Sequence, residues 1–132
     1  MKKQINVVGA VIVKDGMILC AQRGEGSSLG GMWEFPGGKI EPEETPRDAL
    51  QREIDEELKC QVSVGEEVTT TPHEYDFGVV TLTTFYCELI EGTPELTEHA
   101  AVKWLAPDEL GQLDWAPADI PAVDLIQEQR AA

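Results

Sequence analysis

Positive charge is scarce in this chain: 10 Lys and Arg residues stand against 25 Asp and Glu, a formal net charge of −15. That balance repels polymeric nucleic acid and anionic membrane, so neither is an expected partner. Long apolar runs are missing as well. No stretch approaches the ~20 apolar residues of a membrane helix, which points to a soluble protein. Lys2 and Lys3 ahead of residues 7–13 imitate a secretion signal. The run ends in Lys14-Asp15-Gly16 without a small-residue cleavage site, however, and reads as a strand. Cysteine is limited to Cys20, Cys60 and Cys87. An odd number without CxxC spacing argues against a disulfide framework or a zinc site and suits small core residues in a reducing cytoplasm. What the chain does have is an ordinary 42% of hydrophobic residues over 132 positions. That is enough for one compact domain over residues 1–132.

A surface this acidic meets a small phosphate substrate only through a cation, and clustered carboxylates are the usual way to hold Mg²⁺ against phosphate oxygens. The order of elements shows where such a cluster stands. Residues 5–13 and 17–22 read as a hairpin around the Lys14-Asp15-Gly16 turn, 23–31 as a loop, and 32–35 as a short strand stopped by Pro36-Gly37-Gly38. Thr45 as N-cap, Pro46 at the first helical position and Asp48 in the first turn open a helix that runs to about Leu58 or Lys59. Strands follow at 62–71, 75–80, 81–90 and 101–105, then a helical turn at 107–110 and a C-terminal helix opened by Asp119-Ile120-Pro121. Strands interrupted by one helix and closed by another imply an α/β fold, a mixed sheet with helices on both faces.

On the central helix Glu53, Glu56 and Glu57 stand at i, i+3 and i+4. At 3.6 residues per turn, with Glu53 at zero, Glu57 falls near ~40° and Glu56 near ~300°. The apolar stripe of Leu50, Ile54 and Leu58 lies between about 60° and 140°. On most helices three such glutamates form a solvated acidic face. Here two of them flank the buried stripe, and like charges at this spacing repel unless a divalent cation compensates them. Oxygen ligands without neighbouring histidine or thiolate favour Mg²⁺, with Mn²⁺ as a substitute. Just before the helix, Gly37 and Gly38 offer backbone angles closed to other residues and close approach to metal or phosphate. Arg23 and Lys39 adjoin glycine-containing loops and are the cations best placed to meet phosphates. Tyr75 or Phe77 offers a ring to stack on a base. Asp119 reads by default as the cap of the last helix.

Gly38, Glu44, Arg52-Glu53-Ile54 and Glu56-Glu57 fit the pattern GX5EX7REUXEEXGU over residues 38–60, and the chain resembles the Nudix hydrolases. Its fixed residues would co-occur at a given register on the order of once per million tries. Lys59 replaces the second glycine and Cys60 the last aliphatic residue. Glycine at that position supplies a left-handed C-cap, so Lys59 is expected to alter how the helix ends. Residues 33–39 and 115–121 extend the resemblance to the MutT and CTP-pyrophosphohydrolase branch.

The resemblance implies an αβα sandwich whose box grips a metal-bound pyrophosphate. The Gly37 carbonyl, Glu53, Glu56 and Glu57 would ligate Mg²⁺, Glu98 would add a carboxylate, and Glu53, then Glu98, would be the general base. Arg23, Glu34, Phe35, Gly37, Gly38, Lys39, Tyr75 and Asp119 would contact substrate, with Glu44 and Arg52 fixing the carboxylates behind them. Products would be a nucleoside monophosphate and pyrophosphate. The base is left open between oxidised guanine, as in 8-oxo-dGTP, and cytosine, as in CTP, dCTP and modified pyrimidines, because an aspartate serves either. A dinucleotide or other nucleoside diphosphate derivative as substrate, and a non-catalytic nucleotide-binding module, are the alternative readings. Monomer and homodimer are equally compatible with the sequence.

Overall fold

The computed structural model describes residues 3–26, 29–95 and 99–130. β1 (Gln4–Lys14) and β2 (Met17–Arg23) form the expected hairpin. Asp15 (φ 52°) and Gly16 (φ 77°) both take the left-handed conformation that a two-residue hairpin turn demands. β3 (Trp33–Glu34) pairs with β2, and β4 (Gly37–Lys39) pairs with β1. Helix α1 (Pro46–Glu53) continues into a π-helical turn, Ile54–Leu58. Then come β5 (Gln61–Tyr75), β6 (Gly78–Glu91), β7 (His99–Leu105), a 3-10 turn at Pro107–Gln112, another at Pro117–Asp119, and α2 (Ile120–Gln129). β1 runs parallel to β6 and antiparallel to β2 and β4, so the sheet is mixed. No helix among the described residues is long and apolar enough to cross a membrane.

The alternation of β1 divides the core. Val8, Ala10 and Ile12 face α1, where Leu50, Ile54 and Leu58 meet Val62, Phe85 and Cys87. Val11 faces the opposite side and packs with Trp33, Trp115, Val123 and Ile126 of the α2 layer. The result is the αβα arrangement. Cys20, Cys60 and Cys87 are free and buried. Cys60 fills the last aliphatic position of the box within the α1 core.

The structure departs from the sequence expectations at several points. Residues 75–80 are not a separate strand: β5 runs unbroken to Tyr75, turns at Asp76 and Phe77, and returns as β6, with Tyr75 opposite Gly78. Pro36 does not end the sheet, since Gly37, Gly38 and Lys39 pair with Gly9, Val8 and Val7. Lys59 keeps the left-handed ending that glycine would supply. It adopts the left-handed conformation itself (φ 54°, ψ 40°), its N–H donating to the Ile54 carbonyl at 3.1 Å, while Glu95 N–H caps the Leu58 carbonyl at 2.9 Å. The buried neighbours Leu58 and Cys60 hold the chain in that conformation against its cost for a side-chain-bearing residue. Lys59→Gly is therefore expected to stabilise the protein by about 0.5–1 kcal/mol, seen as a higher urea midpoint. A lower midpoint would mean that the Lys59 side chain makes a compensating contact.

Candidate active site

β1 shares one edge between two partners, β4 along residues 7–9 and β2 at residues 13 and 14. The edge forks between them, and there Ala10 N–H donates to the Pro36 carbonyl at 2.7 Å. Gly37 and Gly38 sit in the fork. Neither adopts a positive φ, so the expectation that they supply unusual backbone angles is not met; both are required for space. A Cβ on Gly37 would overlap the Val8 carbonyl, and one on Gly38 would fall 2.6 Å from each Glu53 carboxylate oxygen.

Glu53 ends α1 with its side chain only 13% exposed and accepts from Arg52 Nη1 at 3.0 Å. The Arg52 guanidinium is a hub. Its Nε and Nη2 grip both Glu44 oxygens at 2.7 and 2.8 Å, and Nη2 also reaches the Lys39 carbonyl at 3.2 Å. The i+4 contact to Glu56 is longer, at 3.5 Å, so Arg52 serves chiefly as a clasp between loop and helix. Its hydrogen bonds, with help from the Glu41 amide, hold the Glu44 carboxyl down to about 2.

From Ile54 the backbone closes i to i+5, as Lys59 to Ile54 shows, so Glu56 and Glu57 ride a wider turn than the 3.6-residue spacing implies. Both are exposed. Among the described residues no three acidic, histidine or cysteine side chains stand close enough together to enclose a metal ion. Glu98 lies outside the described residues.

All the residues expected to contact substrate line one cleft of about 450 Å³: Arg23, Glu34, Phe35, Gly37, Gly38, Lys39, Tyr75 and Asp119. Its apolar floor is Ile5, Val7, Val80 and Leu82, on the sheet face that carries α2. Tyr75 accepts from Ala118 N–H at 2.9 Å and stacks on Phe77, with centroids 5.1 Å apart and planes 4° apart. Phe77 also lines the cleft and is 46% exposed. Glu34 receives Arg23 Nη1 on one oxygen and lies against His99 Nε2 on the other, each at 2.9 Å. Burial works to raise the Glu34 carboxyl, but the His99 and Arg23 contacts prevail and hold it below its ordinary value.

Asp119 stands at the N-cap position of α2, yet its side chain makes no capping bond; it accepts from Phe35 N–H at 3.2 Å instead. The 115–121 segment is brought there by Trp33, whose N–H donates to the Asp114 carbonyl and whose carbonyl accepts from Ala116, both at 2.9 Å. Burial pushes the Asp119 carboxyl up to about 8, the Phe35 amide opposes the shift, and the nearby Glu34 charge adds to it. The acid is thus protonated at neutral pH and both donates and accepts. An unfolded aspartate titrates near 4. The stabilisation from this bound proton is therefore complete below about pH 4 and is lost as pH rises through about 8. The stability advantage of wild type over Asp119→Asn is expected to shrink by a few kcal/mol across that window. Parallel Tm profiles against pH for the two proteins would refute the shift.

A family model described as the NUDIX domain matches residues 7–125. The chain belongs to the Nudix family. It is 43% identical to the CTP pyrophosphohydrolase of Escherichia coli K12 over 98% of this chain and 96% of that one. It is 39% identical to the putative 8-oxo-dGTP diphosphatase 2 of Mycobacterium tuberculosis over 90% and 84%. The solution structure of the MutT Nudix hydrolase of methicillin-resistant Staphylococcus aureus 252 superposes with a TM-score of 0.83 at 60% identity, covering 98% of this chain and 99% of that one. The Nudix box is the segment just described as fork, clasp and π-turn.

Nudix hydrolases work with a divalent metal, and the donor chemistry at the box suits one, although the side chains among the described residues do not form a closed cluster. The donors at the box are oxygens, the set a hard cation takes. Gly38, lacking a side chain, lets the Glu53 carboxylate pack directly against the backbone, where a Cβ would displace it. His99 carries no sequence signal for a role here, since it belongs to no motif and no periodic pattern, and it reaches Glu34 only through tertiary packing.

Proposed function

We propose that this Nudix hydrolase is a Mg²⁺-dependent pyrophosphohydrolase of the cytoplasmic nucleotide pool, acting as a single domain. It converts a (deoxy)nucleoside triphosphate to the monophosphate and pyrophosphate, with an oxidised guanine nucleotide such as 8-oxo-dGTP, or CTP and dCTP, as substrate. One observation carries this reading: a single cleft holds both the buried Asp119 and Gly38, against whose backbone Glu53 is packed. A base recogniser and a box carboxylate thus serve the two ends of one bound nucleotide. Two relatives named for CTP and 8-oxo-dGTP hydrolysis support the same choice of bases.

The Gly37 carbonyl, Glu53, Glu56 and Glu57, with Glu98, would hold the cation. When bound, it supplies charge neutralisation at the phosphate oxygens and lowers the barrier to attack by water. Glu53 takes the proton of the attacking water, at the β-phosphorus, and Glu98 is the second candidate for that role. Arg23 and Lys39 meet phosphate oxygens, and Tyr75 with Phe77 offers a stacking face to the base.

Protonated Asp119 matches a base that presents a donor beside an acceptor, as N4–H and N3 of cytosine do, or N7–H and O6 of oxidised guanine. A panel of (d)NTPs including 8-oxo-dGTP and 5-methyl-dCTP, compared by kcat/KM, tests this. The expected spread between bases exceeds about tenfold, and Asp119→Ala lowers kcat/KM for the preferred base by about 10–10²-fold. Equal rates across the panel would reject Asp119 as the base reader.

A further inference from the structure

His99 is the first residue of β7 and does not line the cleft, yet its ring Nε2 lies 2.9 Å from Oε2 of Glu34, which does. The other Glu34 oxygen, Oε1, accepts from Arg23 Nη1 at 2.9 Å. The three side chains come from three strands, β2, β3 and β7. The β2–β7 ladder shifts register between Gln22 and Arg23, which sets Arg23 opposite His99. A shift of this kind re-aims side chains at the end of a ladder. Here Arg23 and His99 engage the two oxygens of one carboxylate. The cluster is partly buried, with side-chain exposures of 30% for Arg23, 22% for Glu34 and 17% for His99.

We propose that His99 is a positioning residue for nucleotide binding: by engaging the second oxygen of Glu34 it fixes that carboxylate, and through it the Arg23 guanidinium, at the cleft. The inference rests on the nucleotide-hydrolase reading above. A long side chain loses conformational freedom when it engages a ligand, and one already anchored loses less, so the anchor contributes to affinity. Without the imidazole the Glu34 carboxylate loses the contact at Oε2, keeps the one from Arg23 at Oε1, and turns more freely, so the Arg23–Glu34 pair is less precisely placed at the cleft. Chemistry at Glu53 lies beyond Gly38 and does not depend on this cluster, so binding weakens while turnover persists.

His99→Ala is expected to raise KM for the preferred triphosphate about tenfold, the cost of one hydrogen bond to a charged group, with kcat within about twofold. Binding of the products CMP and 8-oxo-dGMP, followed by calorimetry, weakens by the same factor for whichever is bound. His99→Gln, whose amide nitrogen replaces Nε2, restores both constants to within about threefold. His99→Asn, too short to reach Glu34, does not. The Gln and Asn pair carries the test if the alanine variant loses its cooperative thermal transition. Combined with Glu34→Gln, His99→Ala adds no further loss, because both act through one carboxylate. Unchanged KM and product affinity in His99→Ala, a fall confined to kcat, or equal behaviour of the Gln and Asn variants overturns the proposal. A wild-type protein that hydrolyses no nucleoside triphosphate overturns instead the reading on which it rests.

Discussion

Glu53→Gln is expected to lower the rate of pyrophosphate release with Mg²⁺ by about 10²–10⁴-fold while leaving the fold intact. The two halves of that expectation come from different contacts. Glutamine keeps an oxygen to accept from Arg52 Nη1, and Arg52 keeps its two-point grip on Glu44 at 2.7 and 2.8 Å. The clasp between loop and helix therefore survives, and Tm moves by only a few degrees. What disappears is the charge of a side chain that packs against Gly38 and is only 13% exposed, where a carboxylate interacts more strongly with a cation than it does in bulk water. Glu56 is 64% exposed and more loosely held, so Glu56→Gln costs less, about tenfold. Release of pyrophosphate by Glu53→Gln within threefold of wild type, measured at saturating Mg²⁺, would remove Glu53 from the centre of the mechanism.

Gly37→Ala and Gly38→Ala are expected to fail in opposite ways, although the residues are adjacent and both lie in the cleft. At Gly37 the new methyl would overlap the Val8 carbonyl and approach the Gly9 Cα at 2.9 Å. Both are backbone atoms of the central strand and cannot yield without parting β4 from β1. A loss of about 3 kcal/mol or more in unfolding free energy is expected from urea titration. At Gly38 the atoms nearest the methyl are the carboxylate end of the Glu53 side chain, which moves aside at little cost to the fold. Gly38→Ala should thus unfold within about 1 kcal/mol of wild type and yet lose kcat, since the displaced carboxylate is the proposed base. Equal stability losses in the two variants would mean that the fork is rigid on both sides. Full activity in Gly38→Ala would mean that Glu53 need not stand where the structure places it.

Several of these elements are legible in the amino-acid sequence alone. Thr45 accepts from Asp48 N–H at 3.1 Å as an N-cap should, and the stripe of Leu50, Ile54 and Leu58 is buried against the sheet. The acidic composition and the spacing of Gly38, Glu44, Arg52, Glu53, Glu56 and Glu57 pointed to a metal-assisted phosphate enzyme of the Nudix family. Such features are local: a cap, a helical period and a motif are properties of a few consecutive residues, and their physics acts within one or two turns of chain.

What only the tertiary structure decided depends on atoms far apart in sequence. The reason for Gly37 is a carbonyl of β1, not a backbone angle. The helix bearing Glu56 and Glu57 widens into a π-turn that no 3.6-residue projection anticipates, and Lys59 takes a glycine's conformation because its neighbours are buried. Most of all, Asp119 reads in sequence as an ordinary helix cap. Packing against Phe35, 84 positions away, takes it out of water and keeps it protonated at neutral pH. Desolvation and close approach are set by what folds over a residue, and so the chain alone identified the chemistry of the box while the assembled cleft determined how a base is met.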